Sequence, residues 1–519
     1  MIELDDMTRD DWQEMVPEVS LRPQQFDALA QIWDKFHTTE VVMLQAPTGV
    51  GKSIIEIALT RKFADMGGKS FIVTPQRSLQ DQLAGWDSIA VMKGKGAYRC
   101  SLVDDQSAAT APCSDDQDVR QSHGECAVGY CPFYTALHNA VEVEPTTVHN
   151  YSSILAQTWM APHFSRRDLL CLDECHTAAG WVRNFMTFVF SQSLVLTLFG
   201  ELPDSNFVEW IVPRLMDLLG GENATIPRGL PDEEHLMLLR LRPMISRFSR
   251  TEWAINRVYC DDRLQGWEII PVRVSPLAGV LTGMGSRLLL VSATILNEKF
   301  MAAELGLTSR GVSSVTIDSS FHPDIRPIVR RYSGRMSRRH IDATTPVLFR
   351  NLAKIAAVHR NERGIVHTVS HDLARDATHF LMGDDPSRVV VQLPKGGDRD
   401  AAIRDFLSGA MGPNAILIGP SLQEGLDGAY DSCRWQAIIK APFPSLGDPT
   451  VARIMDKNGP LAKWADSWYG WKTAQALVQA IGRVVRAPDD YGTTYLLDSS
   501  IERVLASGFV PRYISDAIV

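Results

Sequence analysis

The sequence predicts an α/β fold spread over several domains. Two stretches set the class. Residues 41–59, VVMLQAPTGVGKSIIEIAL, pass from a short apolar strand through a glycine-containing turn into an apolar helical pattern. Residues 168–176, DLLCLDECH, place two carboxylates at the end of a second apolar strand. Length sets the domain number: 519 residues exceed what one hydrophobic core can organise, so three or four domains are expected.

Composition narrows the class further. With 45% hydrophobic and 22% charged residues the chain is ordinary globular material, which excludes a fibrous or disordered protein. The start, MIELDDMTRDDW, is acidic and lacks the basic and apolar regions of a secretory signal. No run approaches the roughly 18 apolar residues that span a bilayer. The expectation is a soluble, monomeric chain with no membrane partner, in the cytoplasm or, for a viral source, the host's cytoplasm. A formal charge of −9 argues against a nonspecific polycation, yet leaves room for a local basic groove. In a reducing compartment, clustered cysteines read as metal ligands or catalytic groups before disulfides. No internal repeat or low-complexity tract is apparent.

Taken in chain order, the first motif is LRPQQFDAL at 21–29. Gln25 carries donors and an acceptor that could read an adenine edge, with Arg22 beside it; a solvated glutamine is the bland alternative. The strand–turn–helix follows, with Ala46-x4-Gly51-Lys52-Ser53 departing from the usual phosphate-loop pattern only at its first glycine. Gly49 and Gly51 let backbone N–H groups approach phosphates at a helix N-terminus, and Thr48 lies in the same loop. Lys52 would reach the β- and γ-phosphates of ATP, and Ser53 would hold Mg²⁺. In DECH, Asp173 would orient Mg²⁺ and Glu174 would act as general base on the attacking water, with His176 following. Taken alone, DECH reads as an acidic surface turn; paired with the phosphate loop it does not. Near the end, QAIGRVVR (479–486) places Arg483 and Arg486 three residues apart on one face of an expected helix. Permanently charged, planar guanidinium groups suit a transferring phosphoryl group. An isolated pair of this spacing would read as a solvated basic face, but LLLVSATI (288–295) and GPSLQEGLDG (419–428) precede it.

Together RPQQ, APTGVGKS, TPQRSLQDQL (74–83), DECH, SAT, EGLD and QAIGRVVR resemble the motif series of superfamily 2 helicases, from about residue 21 to 486. The resemblance implies two RecA-like parallel-sheet domains with ATP bound between them. It also implies that His176, Ser292, Thr294 and Gln479 couple hydrolysis to movement. Glu424, Gly425 and Asp427 would then lie at the cleft, near nucleotide and DNA.

Between TPQ and DECH lies CSLVDDQSAATAPCSDDQDVRQSHGECAVGYCPFY, holding Cys100, Cys113, Cys126 and Cys131 among acidic and small residues. The segment has too few apolar residues to build a core, so a staple is needed. The thiols lack the paired C-x2-C knuckles of most zinc sites, whereas iron–sulfur ligation tolerates irregular spacing. Iron–sulfur, zinc and free thiols remain the readings of the residues themselves. The placement, the Cys-Pro-aromatic close and HNYSSIL downstream resemble the XPD/DinG iron–sulfur helicases. That resemblance implies a 4Fe–4S cluster held by these four cysteines. Cys171, Cys175, Cys260 and Cys433 read as buried or incidental.

The expected organisation is as follows. Residues 1–92 begin the first motor domain, 93–140 form the four-cysteine insert, and 141–180 return to the motor. A small helical arch-like insert fills 181–268, with 269–298 completing the first motor domain and 299–519 forming the second. In the arch, Phe207, Ile211, Leu215 and Leu218 recur at helical spacing, and a second helical pattern runs from Glu233 to Ile255, broken at Pro243. Arg326, Arg330, Arg331, Arg335, Arg338 and Arg339 read either as a solvated linker or as a phosphate-tracking surface. Lys93, Lys95, Tyr98 and Arg99 suit contact with single-stranded DNA. Trp464, Trp468 and Trp471 read as a core stripe rather than a stacking platform. The resemblance implies a DNA helicase moving 5′ to 3′ on single-stranded DNA and opening forked duplex. An RNA or hybrid helicase, and an ATP-gated scaffold without unwinding, are the rival readings.

Overall fold

Parallel sheets covered on both faces need strands that are apolar throughout, and this chain supplies them. The computed structural model describes residues 4–75, 77–111, 129–159, 163–204, 206–221, 226–227, 229–248, 250–261, 263–422 and 430–519. The first half contributes β1 (Val41–Gln45), β2 (Ser70–Thr74), β3 (Ile89–Met92), β4 (Thr146–Asn150) and β5 (Arg167–Leu172). An insertion then carries β6 (Phe188–Ser191), β7 (Trp253–Cys260) and β8 (Arg263–Pro271), before β9 (Gly285–Ser292) and β10 (Val312–Thr316) return to the first sheet. The second half holds β11 (Ile328–Gly334), β12 (Gly364–Thr368), β13 (Val390–Gln392), β14 (Ile416–Pro420), β15 (Trp435–Ile438) and β16 (Thr493–Asp498).

Among the described residues the first sheet has seven strands in the order β10-β1-β9-β5-β2-β4-β3, and every pairing in it is parallel. The second has six, β11-β16-β15-β12-β14-β13, again parallel. The order of the first sheet decides where chemistry can occur. It puts β1, β9 and β5 side by side, so the three segments leaving their carboxyl ends emerge together. Register sharpens this: Gln45 is level with Ser292, and Met43 and Leu172 are both level with Leu290. The phosphate loop, the SAT segment and DECH therefore meet at one sheet edge, where open α/β sheets bind ligands.

Both faces of the first sheet are buried. Val42, Leu44, Leu289 and Val291 pack with Ile32, Trp33 and Phe63 on one side, while Met43, Leu170, Leu172 and Leu290 pack on the other. That second cluster continues into the insertion through Phe188, Phe190 and Trp267, and into the second domain through Trp468 and Trp471. The tryptophan stripe is therefore core, as its spacing implied. Trp471 also donates its indole N–H to the Ile295 carbonyl at 2.9 Å.

The insertion is helical at Phe207–Leu219 and Asp232–Leu241, where helical periodicity was read. It departs from that reading further on. The last helical turn ends at Phe248, and Ile255 sits on β7 of a three-stranded antiparallel sheet, β6-β8-β7. Phe207 stacks on Trp267 at 4.5 Å between ring centroids, fixing the Phe207–Leu219 helix against this sheet. The insertion also touches the second domain: Arg453 Nε pairs with Glu252 at 2.7 Å. Among the described residues no helix is long and apolar enough to cross a membrane.

Candidate nucleotide site and its chain between domains

The phosphate loop leaves β1 and enters the helix Lys52–Asp65. Gly49 and Gly51 both adopt φ +83°, a conformation that side chains rarely tolerate. Space is equally restrictive. A Cβ on Gly49 would lie 2.6 Å from the Phe321 ring and 3.0 Å from the Arg486 carbonyl oxygen. One on Gly51 would meet Gln25 Nε2 at 2.5 Å. The loop is thus pressed between an upstream helix and the second domain.

Gln25 is occupied by this loop. Its Nε2 donates to the Val50 carbonyl at 2.9 Å and to that of Gly51 at 3.3 Å, while its Oε1 accepts from Arg22 N–H at 2.8 Å. Arg22 Nη1 in turn donates to the Gly49 carbonyl at 2.8 Å. RPQQ therefore braces the phosphate loop from behind. Thr48 lines the cleft between the domains with Pro47, Phe321, Gln479 and Arg483. Ser53 stands in the first turn of the helix, beside Lys52.

DECH follows β5 directly. Asp173 is buried, accepts a 3.0 Å hydrogen bond from Thr74 Oγ1, and has its carbonyl held by Tyr151 OH at 2.8 Å. Tyr151 belongs to HNYSS, in which Asn150 Oδ1 accepts from Ser153 N–H at 2.7 Å. Glu174 takes a left-handed φ of 46°, a strain that non-glycine residues carry where the surroundings dictate it. The turn aims its carboxylate at Lys52 Nζ, 3.6 Å away, and at His176 Nδ1, 3.3 Å away. Burial pushes Glu174 up, but Lys52, His176 and Arg483 outweigh it and hold the carboxyl well below the usual range. Asp173 moves the other way, to about 6, because burial and the Glu174 charge outweigh Lys52 and Thr74. A divalent cation held by Ser53 and Asp173 would reverse that shift.

From Glu174 a polar chain crosses to the second domain. His176 Nδ1 lies 2.9 Å from Ser292 Oγ, and Ser292 Oγ lies 3.3 Å from Thr294 Oγ1. Gln479 Nε2 donates to Thr294 Oγ1 at 2.8 Å, and Gln479 Oε1 accepts from Arg483 Nη2 at 3.2 Å. Gln475, one turn earlier, donates to the Thr294 carbonyl at 2.7 Å. Catalytic-type residues from both halves are therefore joined by hydrogen bonds, with Ser292, Thr294 and Gln479 buried.

One local expectation changes. The helix carrying Gln479 spans Ala462–Ile481, so Arg483 and Arg486 lie just beyond it rather than on its face. Gly482 ends the helix, and Arg486 N–H donates to Asp490 Oδ2 at 3.1 Å instead of continuing the ladder. Glu424, Gly425 and Asp427, together with Cys113 and Cys126, lie outside the described residues.

The sequence reading did not single out Gln475, Phe321, Asp490 or Glu56. Glu56 is fully buried on the helix behind the phosphate loop, and neither carboxylate oxygen has a hydrogen-bond partner among the described residues. Burial, then the Asp173 charge, pushes it well above the ordinary carboxylate range. Its only sequence signal is a carboxylate within an otherwise apolar helical run.

Two cysteines of the cluster are described. Cys100 is half-buried and Cys131 buried, with both thiols free of disulfide bonds. Ser101 Oγ donates to the Tyr130 carbonyl at 2.8 Å, so the residues flanking the two thiols touch. Among the described residues no group of three or more His, Cys, Asp or Glu side chains is placed to hold a metal ion. Of the neighbouring cations and aromatics, Tyr98 is spent on structure. Its OH accepts from Lys93 N–H at 2.9 Å, and its ring meets Phe133 edge-on at 5.7 Å. Lys93 Nζ pairs with Asp81 at 2.5 Å, and Lys95 lies over Phe133. The arginine run also divides. Arg326 donates to the Tyr513 and Phe321 carbonyls and Arg330 pairs with Glu502, while Arg331, Arg335, Arg338 and Arg339 are exposed.

Comparison with known proteins meets this geometry at both ends. Residues 18–198 match the family model of the type III restriction enzyme res subunit, and residues 352–515 match that of the helicase C-terminal domain. The regulator of telomere elongation helicase 1 homolog of Drosophila ananassae is 38% identical over 197 residues, 34% of this chain and 19% of the relative. Its Anopheles gambiae counterpart is 36% identical over 108 residues, 20% of this chain and 11% of the relative. Both halves of the chain are thus similar to helicase segments, in keeping with the superfamily 2 motif series. Among solved structures, an XPD helicase aligns over 95% of this chain and 99% of its own, with TM-score 0.60 and 15% identity. S. tokodaii Xpd4 aligns over 96% and 99%, with TM-score 0.56 and 13% identity. The shared fold is two RecA-like domains with insertions. The matched stretches span less than a fifth of the curated relatives' length.

Proposed function

We propose that the chain is an ATP-dependent DNA helicase that translocates 5′ to 3′ on single-stranded DNA and opens forked duplex as a monomer. The observation that carries this reading is the hydrogen-bonded chain from Glu174 through His176, Ser292, Thr294 and Gln479 to Arg483. A hydrolytic site built from one sheet alone would not need it. Lys52 neutralises the β- and γ-phosphates, while Ser53 and Asp173 hold Mg²⁺. Glu174, kept ionised by Lys52 and His176, accepts the proton of the attacking water. Arg483 and Arg486 approach the transferring group from the second domain and stabilise its charge. When the phosphate leaves, Arg483 loses its partner and the strain passes through Gln479 and Thr294 to DECH. Glu424 and Asp427 would complete the cleft toward DNA.

Cys100, Cys113, Cys126 and Cys131 would hold a 4Fe–4S cluster, which supplies a covalent staple for a segment without a core. The Ser101–Tyr130 contact supports a common locality for the outer two thiols. Domain limits at 92, 140, 180 and 268 are part of the same proposal, while the limit expected at 298 moves past Thr316, because β10 pairs with β1 in the first sheet.

The test is ATP hydrolysis with single-stranded DNA, single-stranded RNA or an RNA–DNA hybrid as stimulant. Stimulation by DNA supports the reading. Preferential stimulation by RNA or hybrid would shift the substrate, and indifference to all three would favour a scaffold.

A further inference from the structure

Asp490 belongs to none of the motifs above, yet its side chain is fully buried. Its Oδ2 accepts from the backbone N–H of Arg486 at 3.1 Å and of Tyr430 at 3.2 Å. Its Oδ1 accepts from Tyr491 N–H at 2.9 Å and from Arg434 Nη1 at 2.8 Å. Arg434 is itself fixed, lying 3.9 Å over the Tyr491 ring and pairing with Asp431 at 2.8 Å. Four donors thus converge on one carboxylate. A buried carboxylate is costly unless its lone pairs are filled, and here they are.

The consequence lies across the cleft. The carbonyl oxygen of Arg486 is so close to Gly49 that a Cβ there would lie 3.0 Å from it. Asp490 therefore fixes the backbone of the residue that abuts the phosphate loop. The Arg486 N–H it captures is one that the terminated helix no longer pairs. We propose that Asp490 is a positioning residue for ATP hydrolysis, holding the Arg486 backbone in register with Gly49. The proposal rests on the reading of Arg486 as a phosphate-facing arginine.

The test compares Asp490→Asn, Arg486→Ala and the double variant in DNA-stimulated ATP hydrolysis, with thermal unfolding measured alongside. Asparagine keeps the shape but has one acceptor oxygen, which cannot serve all four donors. The expected result is a fall in kcat of about tenfold or more with KM for ATP within about twofold, the pattern of a lost transition-state interaction. In the Arg486→Ala background the same substitution should change kcat by less than about twofold, since residues acting as a unit are not additive. Asp489→Ala, which removes the acceptor for Tyr430 OH, should leave kcat unchanged. If Asp490→Asn does not fold, Asp490→Glu takes its place, retaining the charge while displacing the Arg486 N–H by a methylene. A normal kcat in the folded variant, a raised KM alone, or full additivity with Arg486→Ala would each overturn the proposal. Failure of both variants to fold would assign Asp490 to stability and overturn it too. A wild-type kcat for Arg486→Ala alone would instead overturn the reading of that arginine.

Discussion

Replacing Gln479 with methionine should uncouple the two domains while preserving length and burial. The glutamine makes two side-chain hydrogen bonds, to Thr294 Oγ1 at 2.8 Å and from Arg483 Nη2 at 3.2 Å. A neutral bond is worth about 1 kcal/mol and one to a charged group about 1.5–3 kcal/mol. Arg483 is partly accessible and can recover some of its loss from water, so roughly 2–4 kcal/mol is the expected cost. If that cost falls on the transition state, kcat drops by about 30- to 1000-fold, at 1.36 kcal/mol per decade. ATP binding should change little, because neither bond involves the phosphate loop. The assay is DNA-stimulated hydrolysis under saturating and limiting ATP, with binding of a non-hydrolysable analogue measured separately. A Gln479→Met chain that hydrolyses ATP within about twofold of the parent would refute the chain as the coupling route.

Lys52→Ala should abolish hydrolysis, and Glu174→Gln should bind ATP but stall, which nucleotide retention on a filter would reveal. Arg483→Ala should leave nucleotide binding largely intact and slow hydrolysis roughly a thousandfold or more; a normal turnover would reduce it to a surface charge. Cys131→Ser should lose iron, by metal analysis, and strand separation, while basal ATP hydrolysis persists because both sheets have their own cores. Burial, aided by Arg167, holds His149 at about 3, below the ordinary value near 6.5. Its neutral form therefore stabilises the fold above about pH 6.5, and that contribution is lost as pH falls toward 3. His149→Phe should move acid unfolding to lower pH, and an unchanged midpoint would count against this.

What could be read from the sequence follows the distance over which each feature is encoded. The phosphate loop and DECH are each contiguous strand–turn segments, so local pattern was enough to find them. That they meet depends on strand order, which only the known motif series implied. Gln475 and Glu56 escaped notice because each looks like ordinary helix. Their meaning comes from Thr294 and Asp173, far away in the chain. The arginines near 330 illustrate the same limit, since identical residues at close spacing become a half-buried donor at Arg326, an ion pair at Arg330 and exposed cations beyond. The β7–β8 hairpin was hidden by apolar residues whose spacing also fits a helix. Its turn places Asp261 at φ 47°, without the Asn-Gly or Asp-Gly signal that marks tight hairpins. The ends of the arginine segment were misread for a simpler reason. Gly482 stops the helix one residue before Arg483, and periodicity carried the helix through it.

Strand separation of a forked duplex by one preparation is the most direct test of the account. Substrates carrying only a 5′ single-stranded tail, only a 3′ tail, or none would be mixed with enzyme and ATP, and release of the displaced strand followed over time. The account predicts release from the 5′-tailed fork with ATP, none with Glu174→Gln, and none from the blunt duplex. Release that proceeds equally with Glu174→Gln, or from the 3′-tailed fork alone, would contradict it.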